Sequence, residues 1–312
     1  MRILITGGFG FLGGRLAVYL AKVGHQVVLG SRNKVGPPEW LQQAEVVQTE
    51  WHDTDVLEYC CRGVDQVIHA AGMNAEDCAA DPVAALEFNG LATARLATVA
   101  EKVGIKRFIY LSTAHVYASP LEGTITEATC PRNLHPYATS HLAGEHAVLQ
   151  VARHKGMEEF VLRLSNSFGV PTHKNVKCWM LLVNNLCKQA VQTGKMELMS
   201  NGLQHLNITP LRDVCVFFEQ FVEKRYGTIP SGVYNLGAQE SRTVLEMAKL
   251  VQGRCSLVLG YKPPLIIPEI KADKSIVDLV YRCDKLGEIG MGYRVVEYIT
   301  EIDDLLRFCQ AN

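Results

Sequence analysis

The chain has 312 residues, 31 Lys+Arg against 32 Asp+Glu, a formal charge of −1 and 48% hydrophobic residues. That length supports one large domain or two coupled ones around a sizeable core. Balanced charge and apolar content exclude disorder as the dominant state and argue against nucleic-acid binding through bulk positive charge. No apolar run approaches the roughly 18 residues of a membrane span, so no membrane partner and a cytoplasmic location are expected. Gly7 and Gly8 interrupt the first apolar stretch too early for a secretion signal. The ending Cys309-Gln310-Ala311-Asn312 lacks the aliphatic pair that prenylation prefers. The ten cysteines show neither C-x-x-C pairs nor zinc spacing with histidine. Most sit in apolar stretches, so free thiols in a reducing compartment and no bound metal are expected.

In chain order, a β-rich run at 2–6 precedes a helical pattern at 11–23. Strands are predicted at 26–30, 45–48 and 66–70, then a long helix over 82–103 with Pro82 in its first turn. A strand at 107–112, a second long helix at 136–153 and a strand at 159–164 follow. Strands that are apolar on both faces and alternate with helices imply an α/β fold, a doubly wound (Rossmann) parallel sheet with its ligand crevice at the strands' carboxyl ends. Beyond Gly169 the rhythm changes, with helices expected at 177–193, 212–224 and 241–252 and short strands at 196–199 and 233–236. Pro263, Pro264 and Pro268 break the chain before its last stretch. The expected division is a dinucleotide-binding domain at 1–168 and a smaller substrate-binding cap at 169–312, with segments near 205–240 returning to the core.

Gly7, Gly10 and Gly13 stand between the first strand and the first helix, flanked by Phe9, Phe11 and Leu12. Such a loop allows a tight turn, close backbone approach to a pyrophosphate and close helix–strand packing, and the helix N-terminus offers free N–H groups to the phosphates. The alternative is a glycine-rich turn with no ligand. The second strand ends Gly30-Ser31-Arg32-Asn33-Lys34, without the carboxylate that NAD sites place there. Arg32 can fork onto a 2′-phosphate and Ser31 can donate to it, which favours NADP over NAD. The competing reading makes Arg32 and Lys34 a solvated loop.

Ser112-Thr113-Ala114-His115-Val116-Tyr117, Pro136-Tyr137-Ala138-Thr139-Ser140-His141 and His69-Ala70-Ala71-Gly72 join that loop in a pattern that resembles the extended short-chain dehydrogenase/reductases. The nearest branch is the NAD-dependent epimerase/dehydratase group, which mostly handles nucleotide sugars. Arg163-Leu164-Ser165-Asn166-Ser167-Phe168-Gly169 and Arg212-Asp213-Val214 extend the likeness over most of the chain, more loosely toward its end. The resemblance implies that Tyr137 is the general acid/base and that Thr113 bonds the same substrate oxygen, with Ser112 a spare hydroxyl. It implies cofactor contacts at Gly7, Phe9, Gly10, Phe11, Leu12, Ser31, Arg32, Glu50, Trp51, Ala70, Ala71, Gly72, Leu111, Tyr137 and His141, and substrate contact at Thr113 and Asn166. Trp51 and Trp179 also read as packing residues.

The family pattern is Tyr-x-x-x-Lys, whereas this chain has His141 four residues after Tyr137, on the same helix face. The lysine holds the nicotinamide ribose and eases ionisation of the tyrosine. A histidine with a reference pKa of ~6.5 is mostly uncharged at pH 7. Either His141 still serves, or the chain binds a dinucleotide without efficient turnover. Ala114 and His115 replace the Asp-Glu pair of the dehydratases, which argues against dehydration by that route. Leu206-Asn207-Ile208 occupies the stretch where many relatives carry an arginine for the diphosphate, with Arg212, Lys174 or Lys177 as substitutes.

His69 reads as a packed or cofactor-shelf residue, Asn89 as a structural tie, and His115 and His135 as cleft neighbours. With Arg32 in place of a carboxylate and no Asp-Glu pair, the resemblance implies an NADP-dependent keto reductase of a nucleotide sugar. The alternatives are an NAD-retaining epimerase and a non-enzymatic dinucleotide-binding protein. A homodimer through helices 82–103 and 136–153 is expected, although those faces would also suit burial within one chain.

Overall fold

The computed structural model of the chain describes residues 1–151, 156–223, 229–269, 277–291 and 297–312. The first half runs β1 (Arg2–Thr6), α1 (Phe11–Lys22), β2 (Gln26–Ser31), β3 (Glu45–Gln48), α2 (Thr54–Cys61), β4 (Gln66–His69), α3 (Ala75–Ala80), α4 (Pro82–Ala85), α5 (Ala92–Lys102), β5 (Arg107–Thr113), β6 (Gly123–Ile125), α6 (Pro136–Val151) and β7 (Glu158–Leu164). The second half runs β8 (Asn166–Phe168), α7 (Leu182–Thr193), β9 (Met196–Glu197), β10 (His205–Leu206), β11 (Ile208–Pro210), α8 (Leu211–Val222), β12 (Gly232–Leu236), β13 (Arg242–Thr243), α9 (Val244–Val258), β14 (Leu265–Ile266), β15 (Leu279–Tyr281), α10 (Asp284–Glu288) and α11 (Tyr298–Ala311).

Seven parallel strands form the central sheet in the order β12-β7-β5-β4-β1-β2-β3. Its inner strands are buried on both faces because successive side chains alternate between two helical layers. In β1, Ile3 and Ile5 join Leu16, Leu20, Phe218 and Phe221 of α1 and α8, while Leu4 joins Leu57, Leu96 and Val148 of α2, α5 and α6. The chain leaves β1 toward β2 on one side and later returns to β4 on the other. A crevice therefore opens beyond the carboxyl ends of β1 and β4. Helices α7, α9 and α11 pack together around a separate apolar cluster that includes Phe168, Leu186, Met247 and Leu305.

The expected helix over 82–103 is instead α4 and α5 joined by a π-helical turn at Leu86–Leu91. The wide turn rotates Asn89 inward, where its Oδ1 accepts from Met73 N–H at 2.8 Å and its Nδ2 donates to Ser140 at 3.0 Å. The helix expected from 177 begins at Leu182, after turns in which Cys178 N–H bonds Val176 O and Leu181 N–H bonds Cys178 O. The one expected from 241 begins at Val244, behind a Thr243–Glu246 capping box, and runs to Val258. Arg153 and Lys224, the expected ends of two helices, lie outside the described residues. Helices α2 and α11 carry no signal singled out in the sequence. Asp53 caps α2 by accepting from Asp55 and Val56 N–H.

All ten thiols are free. Among the described residues, no group of three or more His, Cys, Asp or Glu side chains could hold a metal ion, and no helix is long and apolar enough to cross a membrane.

Candidate active site

The β1–α1 turn is tight, with Gly10 N–H bonding Gly7 O at 2.8 Å. Gly7 sits at φ 66°, and a Cβ there would stand 2.8 Å from the Ala70 carbonyl. A Cβ at Gly13 would lie 2.3 Å from Gly7 O. Helix α1 has no side-chain cap and no acidic residue in its first turn, so its leading N–H groups stay open to an anion. This cradle fits a dinucleotide pyrophosphate. Phe9, Phe11 and Leu12 are half-buried around it, and Phe9 meets Trp40 edge-on with centroids 6.0 Å apart.

At the end of β2, Ser31 accepts from Asn33 N–H at 3.1 Å. The exposed Arg32 guanidinium lies 5.5 Å from the Phe88 ring centroid and makes no ion pair among the described residues. The exposed Glu50 accepts from Gln48 at 2.7 Å. Trp51 is only 8% exposed and packs edge-on against Phe88, so most of its ring serves the core. Arg32, Phe88, Glu50 and Trp51 thus gather beside the second and third strands.

After β4, Ala70 and Ala71 are half-buried and Gly72 is exposed. His69 is buried: its Nε2 meets Thr93 Oγ1 at 2.8 Å and its Nδ1 meets Thr6 Oγ1 at 2.6 Å. Thr93 gives its own proton to Asn89 O, so His69 Nε2–H donates and Nδ1 accepts from Thr6. Burial pushes the His69 pKa down to about 3, with His141 adding to the effect, so this imidazole is neutral. Leu111 is a buried core residue of β5.

The inner face of α6 carries Tyr137, His141 and Glu145 in successive turns, all turned toward β5. Tyr137 and His141 meet edge-on with centroids 4.6 Å apart. Burial raises the Tyr137 pKa, and a hydrogen bond with Thr113 partly opposes that rise. Burial pushes His141 down to about 4, so no cation stands beside the phenol at neutral pH. Sequence reasoning missed the partner that holds His141, namely Tyr110 of β5, whose Oη lies 2.9 Å from Nδ1. A tyrosine in a buried central strand was the available signal, because a buried phenol needs a partner.

Ser112 is not the spare hydroxyl that the resemblance suggested. It donates to Glu145, whose carboxylate also holds Arg163 at 2.6–3.1 Å, with both side chains buried. Glu145 was missed as well, although its i, i+4, i+8 spacing from Tyr137 and His141 was an available signal, whereas Arg163 lies on β7 and carried no such pattern. The Arg163 guanidinium also lies 4.7 Å from the Tyr117 ring centroid. Thr113 Oγ1 accepts from His115 N–H at 3.1 Å. Asn166 donates to Asn207 O, and its Oδ1 lies 3.4 Å from His115 Nε2, which brings His115 to the cleft with Thr113. The exposed His135 accepts from Tyr137 N–H. Arg212 pairs with Asp304 on α11, and Lys177 reaches Asp77 on α3 at 3.8 Å.

The profile of the NAD dependent epimerase/dehydratase family matches residues 3–237. The chain is 28% identical over 284 residues to UDP-glucuronic acid decarboxylase 1 of Danio rerio, covering 87% of this chain and 64% of that protein. It is 27% identical over 275 residues to UDP-glucose 4-epimerase of Bacillus subtilis, covering 80% of each. The fold is similar to that of UDP-glucose 4-epimerase from Thermotoga maritima solved with UDP-glucose, with a TM-score of 0.80, 22% identity, and 99% of this chain and 98% of that one covered. It is similar too to UDP-N-acetylglucosamine 4-epimerase from Methanobrevibacter ruminantium, at TM-score 0.82, 19% identity, and 98% and 97% coverage. Because that family's profile matches residues 3–237, well over half of the chain, this chain belongs to the NAD-dependent epimerase/dehydratase family.

Proposed function

We propose that the chain is an NAD(P)-dependent oxidoreductase that reduces a keto group of a nucleotide sugar, with NADP preferred over NAD. The observation that carries the direction is the state of Tyr137. Burial raises its pKa, and the neutral His141 supplies no positive charge to lower it. At neutral pH the phenol therefore stays in its proton-donating form. It is a poorer acid than a lysine-flanked tyrosine, but reduction needs the donor and oxidation needs the tyrosinate. A bound dinucleotide supplies the hydride. Tyr137 gives its phenolic proton to the substrate oxygen, and the Thr113 hydroxyl steadies the same oxygen.

Gly7, Gly10 and Gly13 would hold the pyrophosphate. Arg32 would hold a 2′-phosphate, supported by its exposure and by the lack of a carboxylate at the end of β2. Asn166 and residues of the 169–312 half would hold the sugar nucleotide, a substrate class supported by the relatives' names. A second reading, an epimerase that retains NAD, is favoured by the solved relatives that are epimerases.

The test supplies NADPH with a 4-keto nucleotide sugar, and separately NAD with UDP-glucose. Stoichiometric NADPH consumption with alcohol formation is expected from the first mixture. Interconversion of UDP-glucose and its 4-epimer without net cofactor change would replace the reductase reading with the epimerase one.

A further inference from the structure

We propose that Tyr110 is a positioning residue that fixes His141 as a neutral imidazole with its proton on Nε2, presented past Gly72 as an uncharged donor to an acceptor oxygen of a bound dinucleotide. The second half of this rests on the dinucleotide reading above; the first does not.

The proton count follows from distances. Tyr110 Oη lies 2.9 Å from His141 Nδ1 and 3.5 Å from Asn89 O. Asn89 O already accepts from Thr93 Oγ1 at 2.7 Å. Thr93 Oγ1, the phenol's other neighbour, is already engaged by His69 and Asn89 O, and an O–H donor at 3.5 Å from Asn89 O gains little, so the phenolic proton goes to Nδ1. With Nδ1 accepting, the imidazole's own proton sits on Nε2. Nε2 has no hydrogen-bond partner among the described residues, and it faces Gly72: a Cβ there would stand 3.8 Å from Nε2 and 3.7 Å from Cε1. Gly72 is exposed, so this edge of the ring is approached past a residue with no side chain.

The arrangement is built rather than incidental. Tyr110 is stacked between His69 and His141, at 5.5 and 5.9 Å and at 24° to each. A Cβ at Gly144, on the next turn of α6, would lie 2.8 Å from Tyr110 Oη, so a glycine there leaves the phenol its place under the helix. The titratable groups around the pair are His69 from β4, Cys78 from α3, Tyr137 on the same helix and Glu145 one turn further on. Burial alone acts on the His141 ring, with no carboxylate drawing a second proton to it. A lysine at this position would offer a charge, whereas His141 offers one fixed N–H.

The test is ¹⁵N-detected NMR of the histidine rings in the full-length, cofactor-free protein at pH 7.5, in wild type and Tyr110→Phe, with calorimetric titration of NADP and NAD into both. Wild-type His141 is expected as the Nε2–H tautomer. Tyr110→Phe removes only a hydroxyl, and it should shift the ring toward Nδ1–H and weaken dinucleotide binding roughly 5- to 10-fold, the worth of one hydrogen bond. A merely structural Tyr110 would leave the tautomer unchanged. An Nδ1–H or doubly protonated His141 in wild type, or an unchanged tautomer in Tyr110→Phe, overturns the proposal. An Nε2–H ring in a protein that binds no dinucleotide overturns the dinucleotide reading, and with it the donor role.

Discussion

Replacing Glu145 by alanine removes the anion from the most enclosed ion pair at the site. The Glu145 side chain is 0% exposed and that of Arg163 is 6% exposed, and three contacts of 2.6–3.1 Å join them. Ser112 also loses its acceptor. Arg163 keeps its charge, because its pKa is far above any accessible pH, so the variant buries an uncompensated guanidinium. Breaking such a pair from one side costs about 3–5 kcal/mol, a large share of a typical folding free energy of about 5–15 kcal/mol. The cation–π contact with Tyr117 recovers only about 1–2 kcal/mol and is already present in the wild type. Urea denaturation followed by fluorescence reads the difference. Removing both charges, Glu145→Leu with Arg163→Met, should restore most of the loss. A single-variant loss below about 1 kcal/mol, or a double variant no better than the single, would refute the claim that this pair is a desolvated unit.

Four further outcomes follow from the same geometry. Tyr137→Phe should lower turnover roughly 10²–10⁴-fold while changing dinucleotide affinity by less than about fivefold, as steady-state kinetics and calorimetry together would show. Arg32→Ala should cut the preference for NADP over NAD by about 10- to 100-fold, the range expected for losing charge-assisted hydrogen bonds, with NAD affinity unchanged. Gly13→Ala places a Cβ 2.3 Å from Gly7 O, so the loop must open; dinucleotide affinity should fall at least about tenfold and stability by about 1–3 kcal/mol. His141 is held near 4 when folded against ~6.5 unfolded, so between these values the unfolded chain binds the extra proton. Its contribution is present above pH 6.5 and is lost as pH falls toward 4, by up to about 1.4 kcal/mol per pH unit. Glu159 and Asp213, raised to about 7 by burial, run the opposite way over that interval. The His141 contribution is therefore read as wild type minus His141→Gln in denaturation at pH 7 and pH 5.

The sheet and its phosphate loop were legible in the sequence because their determinants are local. Apolar strands, glycines where a Cβ would meet backbone, and Pro82 at a helix start each act within a few residues. Two helix starts slipped by a few residues through local turns and a capping box, whereas the break in the helix expected over 82–103 depended on distant groups. The π-helical turn forms around Asn89, which reaches Met73 and Ser140, and no local pattern announces such a turn. The same contrast holds at the site. Tyr137, Thr113 and His141 were singled out from one spacing and one resemblance, and the structure brings them together. Tyr110 and Arg163 were missed because their roles come from pairings across strands and helices 31 and 18 residues apart. Ser112 illustrates the converse: the resemblance suggested a spare hydroxyl, and a buried carboxylate on α6 takes it.

The central claim is that the cleft beyond β1 and β4 holds a phosphorylated dinucleotide. The most direct test is calorimetric titration of the cofactor-stripped protein with NADPH, NADP, NADH and NAD, with His141→Lys alongside. Saturable binding that prefers the phosphorylated pair, and that tightens in His141→Lys as a cation is restored, is the predicted result. No binding of any of the four by the folded protein would contradict the account.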